Sequence, residues 1–432
     1  MKKLFIIVLI TMLLSACLPQ GVRVPQSELQ PLLERKSGLI AYIGADGNLY
    51  VSDQGGGKKK QITKDAFFGK TQNDPYLYYR APTWSKDSSK LAFASESFDG
   101  KVISRDLLVA NVEKGSPTKV FKNQSEVPIY LYWSPDNKNL SFISTVLNGQ
   151  NIVLQSVPAA GGKGTILDVG APYYWSWAPN GRTLIAHSGG GSNASVPDHL
   201  TFIQVQDSEV TEDGLPTLPA SFQAPAWSPD GHHITLTRTL EGKKEIIITD
   251  SAGAYQKTLG TFTLNTAFVW SPDSTKLAYI DGTQAMTAGV LGKLNIVDIA
   301  KADNKIIGDD VIGLFWSPNS EKVAYYRIVP DSSSSSSDPS SQQFALELNV
   351  LDMKSGESRK LYTISPTRQF MNILPYFDQY AQSSTIWSPD SNNLLICFVD
   401  GQGNPGIAIA SASGNLQPRL LADGYLAFWS WK

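Results

Sequence analysis

Four aspartates recur in one local sequence, W-S-P-D, and carboxylates at regular intervals could carry acid–base chemistry or bind calcium. They are Asp136, Asp230, Asp273 and Asp390. Each follows a Ser-Pro pair and precedes Gly, Asn or Ser. Pro and then Asp at the central positions, followed by a residue that tolerates a left-handed backbone, are typical of a tight turn. We therefore predict a structural role for these carboxylates.

Other residues with catalytic or metal-binding potential occur in unfavourable contexts. His232 and His233 are adjacent, so a strand would point them to opposite faces, and His187 and His199 lack positioned carboxylates. Cys397 lies in an apolar run and is predicted to be a buried strand residue. The sequence contains no G-x-S-x-G, H-E-x-x-H, Walker or C-x-x-C motif, so no cofactor, metal or catalytic residue is predicted. Enzyme activity stays open, because a site assembled from distant residues leaves no local pattern.

The clearest functional signal lies at the N-terminus. Two lysines and a long apolar run predict a signal peptide over residues 1–16. Residues 14–17, L-S-A-C, resemble the lipobox of bacterial lipoproteins, which implies acylation of Cys17 and cleavage before it. Residues 17–37 then form a short proline-containing tether. We expect attachment to membrane lipid through acylated Cys17 on the extracytoplasmic side, either at an outer membrane or on the outer face of the cytoplasmic membrane.

The charge balance argues against a nucleic-acid partner. The chain has 37 basic and 39 acidic residues, and removal of the leader takes away two lysines, leaving a formal charge of minus four. A surface that is close to neutral and slightly acidic offers no electrostatic attraction to a phosphate backbone.

Two long insertions carry aromatic and arginine side chains of the types that are enriched in binding surfaces. A third insertion, residues 331–343, is serine-rich and predicts a solvated loop. An alternative is that the aromatic side chains only pin the loops onto the fold. The candidate binding residues are Phe67, Phe68, Tyr76, Tyr78, Arg80, Arg368, Phe370, Tyr376, Phe377 and Tyr380.

These residues must be positioned by a repeated unit, because eight of the ten tryptophans belong to one repeat. Seven of them open near-copies of W-S-P-D-G followed by an apolar strand, and the eighth, Trp429, opens a truncated copy. Most spacings lie between 42 and 50 residues, the length of a four-stranded propeller blade. Each unit alternates apolar runs with turns and predicts antiparallel strands, with Trp filling the space between blades. The repeat tryptophans are Trp84, Trp133, Trp177, Trp227, Trp270, Trp316, Trp387 and Trp429.

The two ends of the repeat region are complementary. Residues 425–431 match the first strand of a unit, whereas residues 38–65 match the other three strands. We predict that they pair and close a single all-β propeller over residues 38–432, with eight four-stranded blades, or seven if the weak strand near Glu209 fails to form. Closure removes the open sheet edges that favour aggregation.

The repeat resembles that of the TolB-type propeller family, a WD40-like group whose signature is W-S-P-D-G and a short apolar strand. The resemblance covers residues 38–432 and implies the fold. The chain departs from TolB itself, because residues 18–37 are too few for the additional α/β domain of that protein. The role of TolB in envelope integrity is therefore not carried over.

Three functions follow from these observations. The leading one is a membrane-anchored binding or assembly module that uses its loop-rich face for a protein partner. The second is a receptor for a small ligand such as a sugar or peptide, and the third is a propeller hydrolase or lyase. A flat apolar loop face favours the first, a concave aromatic cleft the second, and a carboxylate-lined channel the third.

Overall fold

The computed structural model describes residues 36–71, 73–123, 128–146, 151–189, 198–206, 209–221, 223–286, 288–301, 303–330 and 344–432. The fold is all-β, as predicted, with 58% of the chain in strands and 3% in helices. No helix within these ranges is long and apolar enough to cross a membrane. The leader, Cys17, residues 18–35 of the tether and the serine-rich insertion lie outside the described residues, so their assignments stay predictions.

Strands follow one another along the chain, joined by short turns in most cases. The N-terminal half contains β1 (Ile40–Gly44), β2 (Leu49–Ser52), β3 (Lys60–Gln61), β4 (Tyr76–Trp84), β5 (Lys90–Phe98), β6 (Ile103–Asn111), β7 (Pro117–Asn123), β8 (Pro128–Trp133), β9 (Asn139–Val146), β10 (Asn151–Pro158), β11 (Thr165–Gly170), β12 (Tyr173–Trp177), β13 (Thr183–Ser188), β14 (His199–Gln206) and β15 (Glu209–Gly214).

The C-terminal half continues the pattern until one insertion forms short helices. Its strands are β16 (Ala226–Trp227), β17 (His233–Leu240), β18 (Lys243–Asp250), β19 (Tyr255–Thr261), β20 (Thr266–Trp270), β21 (Lys276–Gln284), β22 (Leu291–Asp298), β23 (Asn304–Trp316), β24 (Lys322–Pro330), β25 (Phe344–Asp352), β26 (Ser358–Ile364), β27 (Asn393–Val399), β28 (Pro405–Ser411) and β29 (Arg419–Trp429). The helices are α1 (Arg368–Met371), the 3-10 helix η1 (Leu374–Tyr376) and α2 (Phe377–Tyr380).

The described strands form four sheets of four strands, one of six and one of seven, and neighbouring strands are antiparallel. The two longer sheets arise because β23 and β29 change partners partway along. Residues 419–423 of β29 pair with β28, whereas residues 424–429 pair with β1. The pairing of the two ends predicted from the sequence is confirmed. The weak strand near Glu209 also forms, as β15 paired with β14.

Five of the repeat tryptophans each bond to the strand that carries the preceding repeat tryptophan. The Trp133 indole N–H donates to the carbonyl of Thr83, one residue before Trp84, at 3.0 Å. The same relation joins Trp84 to Phe428, Trp270 to Ala226, Trp316 to Val269 and Trp387 to Phe315. These five indoles are buried between neighbouring repeat units, and the carbonyl of the preceding unit satisfies each indole N–H. Sheets joined in this way around a channel form a β-propeller.

The W-S-P-D turns use their aspartates structurally, as predicted. After Trp227, the carboxylate of Asp230 accepts the Ser228 hydroxyl at 2.6 Å and the His232 N–H at 3.0 Å. The following residue, Gly231, has a φ of +76°, a left-handed conformation that glycine adopts without strain. Equivalent carboxylate contacts occur at Asp87, Asp136, Asp273 and Asp390.

Candidate functional site

The candidate aromatic residues separate into two groups, and the first forms a surface patch. Phe67 and Phe68 are 49% and 53% exposed. The Phe68 ring stacks on Tyr78 with 6.4 Å between centroids, and Tyr78 stacks on Tyr76 at 5.7 Å. We call these four residues the aromatic patch. Both tyrosine hydroxyls donate to Glu96, at 3.2 and 3.0 Å, which holds the rings in place.

Arg80 lies beside this patch and is used to hold the structure. Its guanidinium donates to the Pro128 carbonyl at 3.4 Å and lies 3.8 Å from Glu96, which Arg105 also contacts at 3.2 Å. Burial alone would raise the pKa of Glu96, but the two guanidinium groups and the Tyr78 hydroxyl lower it below its ordinary value. Arg80 therefore has partners within the fold.

The second group belongs to residues 367–384, which we call the plug. Thr367 caps α1 and accepts the Phe370 N–H at 3.3 Å. Phe370 and Phe377 are 1% and 0% exposed, so their side chains cannot contact a partner. For these two residues the predicted binding role is wrong, and the alternative of pinning the loop describes them. Their burial stabilises the plug by the hydrophobic effect, by about 2 to 3 kcal/mol per side chain.

The remaining plug candidates differ in exposure. Arg368 is exposed, whereas Tyr376 and Tyr380 are partly buried. The Tyr380 ring packs edge-on against Tyr130 with 4.8 Å between centroids. Burial raises the pKa of Tyr380 to about 12, and the nearby guanidinium of Arg80 opposes this rise. The structure thus brings residues of the two aromatic insertions together at Arg80 and Tyr380.

The plug crosses one end of the channel between the innermost strands. Gln379 makes the central contacts: its side chain accepts the Trp175 N–H at 3.0 Å and donates to the Trp175 carbonyl at 2.8 Å. Its own carbonyl accepts the Tyr130 hydroxyl at 2.7 Å. A side-chain amide that pairs with both groups of a strand residue replaces a missing strand partner. The plug is therefore bonded to the channel wall.

Other plug contacts lie at the same level of the channel. Asp378 accepts the Ala224 N–H at 3.3 Å, the Thr367 hydroxyl donates to the Tyr425 carbonyl at 2.5 Å, and Leu374 packs beside Gly313. All these wall residues precede their repeat tryptophan by two to four positions, which places the plug about 7 to 13 Å along the strands from the W-S-P-D turns. The plug closes the end of the channel opposite the turns.

Asp378 is a buried carboxylate on the channel side of the plug, and it is 5% exposed. Burial raises the pKa of Asp378 to about 6, and the N–H groups of Ala224 and Gln379, which donate to the carboxylate, offset only part of the rise. No cation pairs with Asp378 among the described residues. The carboxyl group is therefore sensitive to pH in the weakly acidic range.

Between the plug and the W-S-P-D turns lies a cavity of about 480 Å³. Asp378, Ala381 and Gln382 form its floor. Prolines of the turns surround the other end, where Pro229 is exposed to solvent, so the cavity is open on that side. Its wall is mainly apolar and includes the aromatic residues Trp177, Trp227, Phe268, Trp270, Phe315, Trp316 and Trp431.

Lys86 and Trp431 lie at the open end of the cavity. Both residues are partly buried. The Lys86 ammonium lies 3.4 Å from the centroid of the Trp431 ring, which is a cation–π contact. Burial lowers the pKa of Lys86 to about 8. Among the residues that line the cavity, Lys86 and Asp378 alone have charged side chains, one at each end.

The histidines and Cys397 show no arrangement typical of catalysis. His187 is buried, its Nδ1 lies 2.9 Å from the Gln223 carbonyl, and burial lowers the pKa of His187 to about 4. Cys397 is 2% exposed, as predicted, and burial raises the pKa of its thiol to about 12. The described part of the chain contains no group of three residues suited to hold a metal ion.

Sequence reasoning missed Lys86, Trp431, Asp378 and Gln379. The first two carry a detectable signal, because they replace the proline of the repeat in W-S-K-D and W-S-W-K. Asp378 and Gln379 have no such signal, since nothing local indicates that their insertion folds into the channel.

Comparisons with known proteins concern the fold. Neither a scan against protein-family models nor a search of curated proteins finds a match. Similar solved structures include TolB from Acinetobacter baumannii, which is 12% identical over 79% of this chain and 83% of that chain, with a TM-score of 0.39. An oligogalacturonate lyase from Vibrio parahaemolyticus is 14% identical over 87% and 98%, with a TM-score of 0.49.

The β-propeller domain of the Trilobed protease from Pyrococcus furiosus is also similar, at 13% identity over 83% of this chain and 97% of that chain, with a TM-score of 0.46. Identities this low bear on the fold alone, and the fold of this chain is established by its own strand pairing. The chain is thus similar to TolB and to other β-propeller proteins.

Proposed function

We propose that this protein is a lipid-anchored, extracytoplasmic binding protein whose propeller channel, closed at one end, holds a small ligand with an apolar or aromatic body. The observation that carries the proposal is the cavity of about 480 Å³ between the plug and the W-S-P-D turns. This volume is within the range of small-molecule sites, and aromatic walls with few polar groups are typical of them. Of the three functions considered from the sequence, a concave aromatic cleft favours this one.

The proposal includes an eight-bladed ring. Eight repeat tryptophans support this count. The strand pairing also supports it, because β23 and β29 each pair with one neighbour and then with another, so that each contributes a strand to two four-stranded blades. The first strand of the blade that contains β27 is represented by the bridge between Trp387 and Leu394. A ring of this size leaves a channel wide enough to require filling, and the plug fills one end of it.

The proposed attachment rests on Cys17 and the residues around it. Acylation of Cys17 would add at least two acyl chains, and each buried methylene contributes about 0.8 kcal/mol to membrane binding. The tether to residue 37 would keep the propeller near the membrane surface. A ligand at this location would come from the envelope or the medium.

The binding proposal can be tested with the fluorescent neutral probe N-phenyl-1-naphthylamine. We expect one probe per protein with enhanced emission. The variant Ala381→Phe places a ring on the cavity floor and should abolish binding, whereas Ala300→Phe, the same change at an exposed turn, should not. Equal binding by both variants, or no binding by the native protein, would contradict the proposal.

A protein partner at the aromatic patch is a second candidate function. The exposure of Phe67 and Phe68 at 49% and 53% favours it, because exposed aromatic rings are enriched in interfaces. Crosslinking in the native membrane with the native protein and with a Phe67→Ser, Phe68→Ser double variant would test it. A protein recovered with the native patch alone supports this function, and identical recovery contradicts it.

A further inference from the structure

Six of the eight repeat units have a proline two positions after the repeat tryptophan, and the two units that lack it are in contact. Lys86 and Trp431 occupy this position in neighbouring units, and the Lys86 ammonium lies 3.4 Å from the Trp431 ring centroid. Both line the open end of the channel cavity. The prolines at the equivalent positions are Pro135, Pro179, Pro229, Pro272, Pro318 and Pro389.

The local turn does not require this lysine. In the turn that contains Lys86, the Ser85 hydroxyl donates to Asp87 at 2.6 Å and Ser88 has a φ of +62°, as in the turns that contain proline. Proline would also preset the backbone for such a turn, which lysine does not. The lysine side chain is therefore available for a role in the cavity.

The ammonium of Lys86 has no anionic partner in the part of the chain that the structure describes. Among the described residues it forms no ion pair and no hydrogen bond, and its contact is with the face of Trp431. A cation–π contact attracts the charge but leaves its N–H donors without an oxygen acceptor. A partly buried cation in this state gains when an anion enters and accepts its hydrogen bonds.

We propose that the channel binds an amphiphilic anion, with its charged group at Lys86 and its apolar or aromatic body against the tryptophans deeper in the cavity. This inference rests on the proposed function and adds the charge and orientation of the ligand. The orientation follows from Asp378, whose carboxylate on the floor repels an anion placed there. Only the open end of the cavity presents a positive charge.

Two probes of the same shape separate charge from apolar contact. 1-Anilinonaphthalene-8-sulfonate carries an anionic group that N-phenyl-1-naphthylamine lacks. We expect Lys86→Met, which keeps the length of the side chain, to weaken binding of the sulfonate about 10- to 100-fold, the contribution of a charge-assisted hydrogen bond. Binding of the neutral probe should change less than about twofold, since its contacts are not ionic.

Two further variants keep the test decisive. Lys138→Met removes an exposed lysine from the next W-S-P-D turn, outside the cavity, and should leave both affinities unchanged. Lys86→Pro restores the repeat sequence and should reproduce the loss seen with methionine, so a folding defect of one variant does not decide the result.

The outcomes for the anion and for the site itself are distinct. If both probes bind the native protein and neither Lys86 variant weakens the sulfonate, the anionic ligand is refuted while the proposed function stands. If neither probe binds the native protein, the cavity itself is not a binding site and both proposals fail.

Discussion

Asp378→Asn is the substitution whose effect can be worked out most fully from the structure. Burial raises the pKa of Asp378 from an ordinary 3.8 to about 6. One pKa unit corresponds to about 1.4 kcal/mol, so ionisation of this group in the folded protein costs about 3 kcal/mol of unfolding free energy. Asparagine keeps an oxygen that can accept the Ala224 N–H and has no charge to desolvate.

The sign follows from linkage. A raised carboxyl pKa gives stability that is fully present below pH 3.8 and is lost as the pH rises through about 6. Asparagine has no such dependence. The unfolding free energy of Asp378→Asn minus that of the native protein should therefore increase with pH, by about 2 kcal/mol between pH 4.5 and 7. Any constant cost of the new amide group changes the offset and not this slope.

Equilibrium urea unfolding at several pH values, followed by tryptophan fluorescence, measures this difference. Asp230→Asn is the matched control. Burial would raise the pKa of Asp230, but the Ser228 hydroxyl and the His232 N–H lower it below 3.8, so the stability that its ionisation provides is lost only at lower pH. The difference for this variant should therefore stay nearly flat between pH 4.5 and 7. A difference for Asp378→Asn that is flat or falls between pH 4.5 and 7 would refute the reasoning about the plug.

Three other outcomes are expected. Trp133→Phe should destabilise the protein by about 1 to 3 kcal/mol more than Trp429→Phe, because the Trp133 indole donates to the Thr83 carbonyl whereas the Trp429 indole has no partner among the described residues. Urea unfolding of both variants measures this difference, and an equal loss of stability would show that the hydrogen bond contributes nothing. Deletion of residues 425–432 should abolish cooperative unfolding in calorimetry, since these residues pair with β1, and a stable monomeric truncation would contradict ring closure. Cys17→Ala should move the protein from the membrane fraction to the soluble fraction of a bacterium that processes lipoproteins, and unchanged fractionation would exclude Cys17 as the anchor.

The regular part of the fold could be predicted because each unit specifies its own strands and turn. The runs after Trp227 form β17, β18 and β19, and the Asp230 turn has the predicted contacts. The pairing of β29 with β1 was also predictable, because the two ends supply complementary parts of one repeat.

The plug could not be predicted in the same way. Its sequence is rich in aromatic residues, which suits either an exposed interface or a buried core, and local sequence cannot decide between them. Gln379 bonds to Trp175 in β12, about two hundred residues earlier in the chain, and Phe377 is buried in a cluster that includes Ala267 of β20. Lys86 shows the opposite case: its departure from the repeat was visible, but its meaning required knowledge that the turns surround the open end of a cavity.

A crystal structure of the protein with bound N-phenyl-1-naphthylamine would test the central claim most directly. The account predicts density for the probe between Trp177, Trp270 and Ala381, with Gln379 still bonded to Trp175 across the channel. Density on Phe67 and Phe68 with an empty cavity, or a plug displaced from the channel, would contradict it.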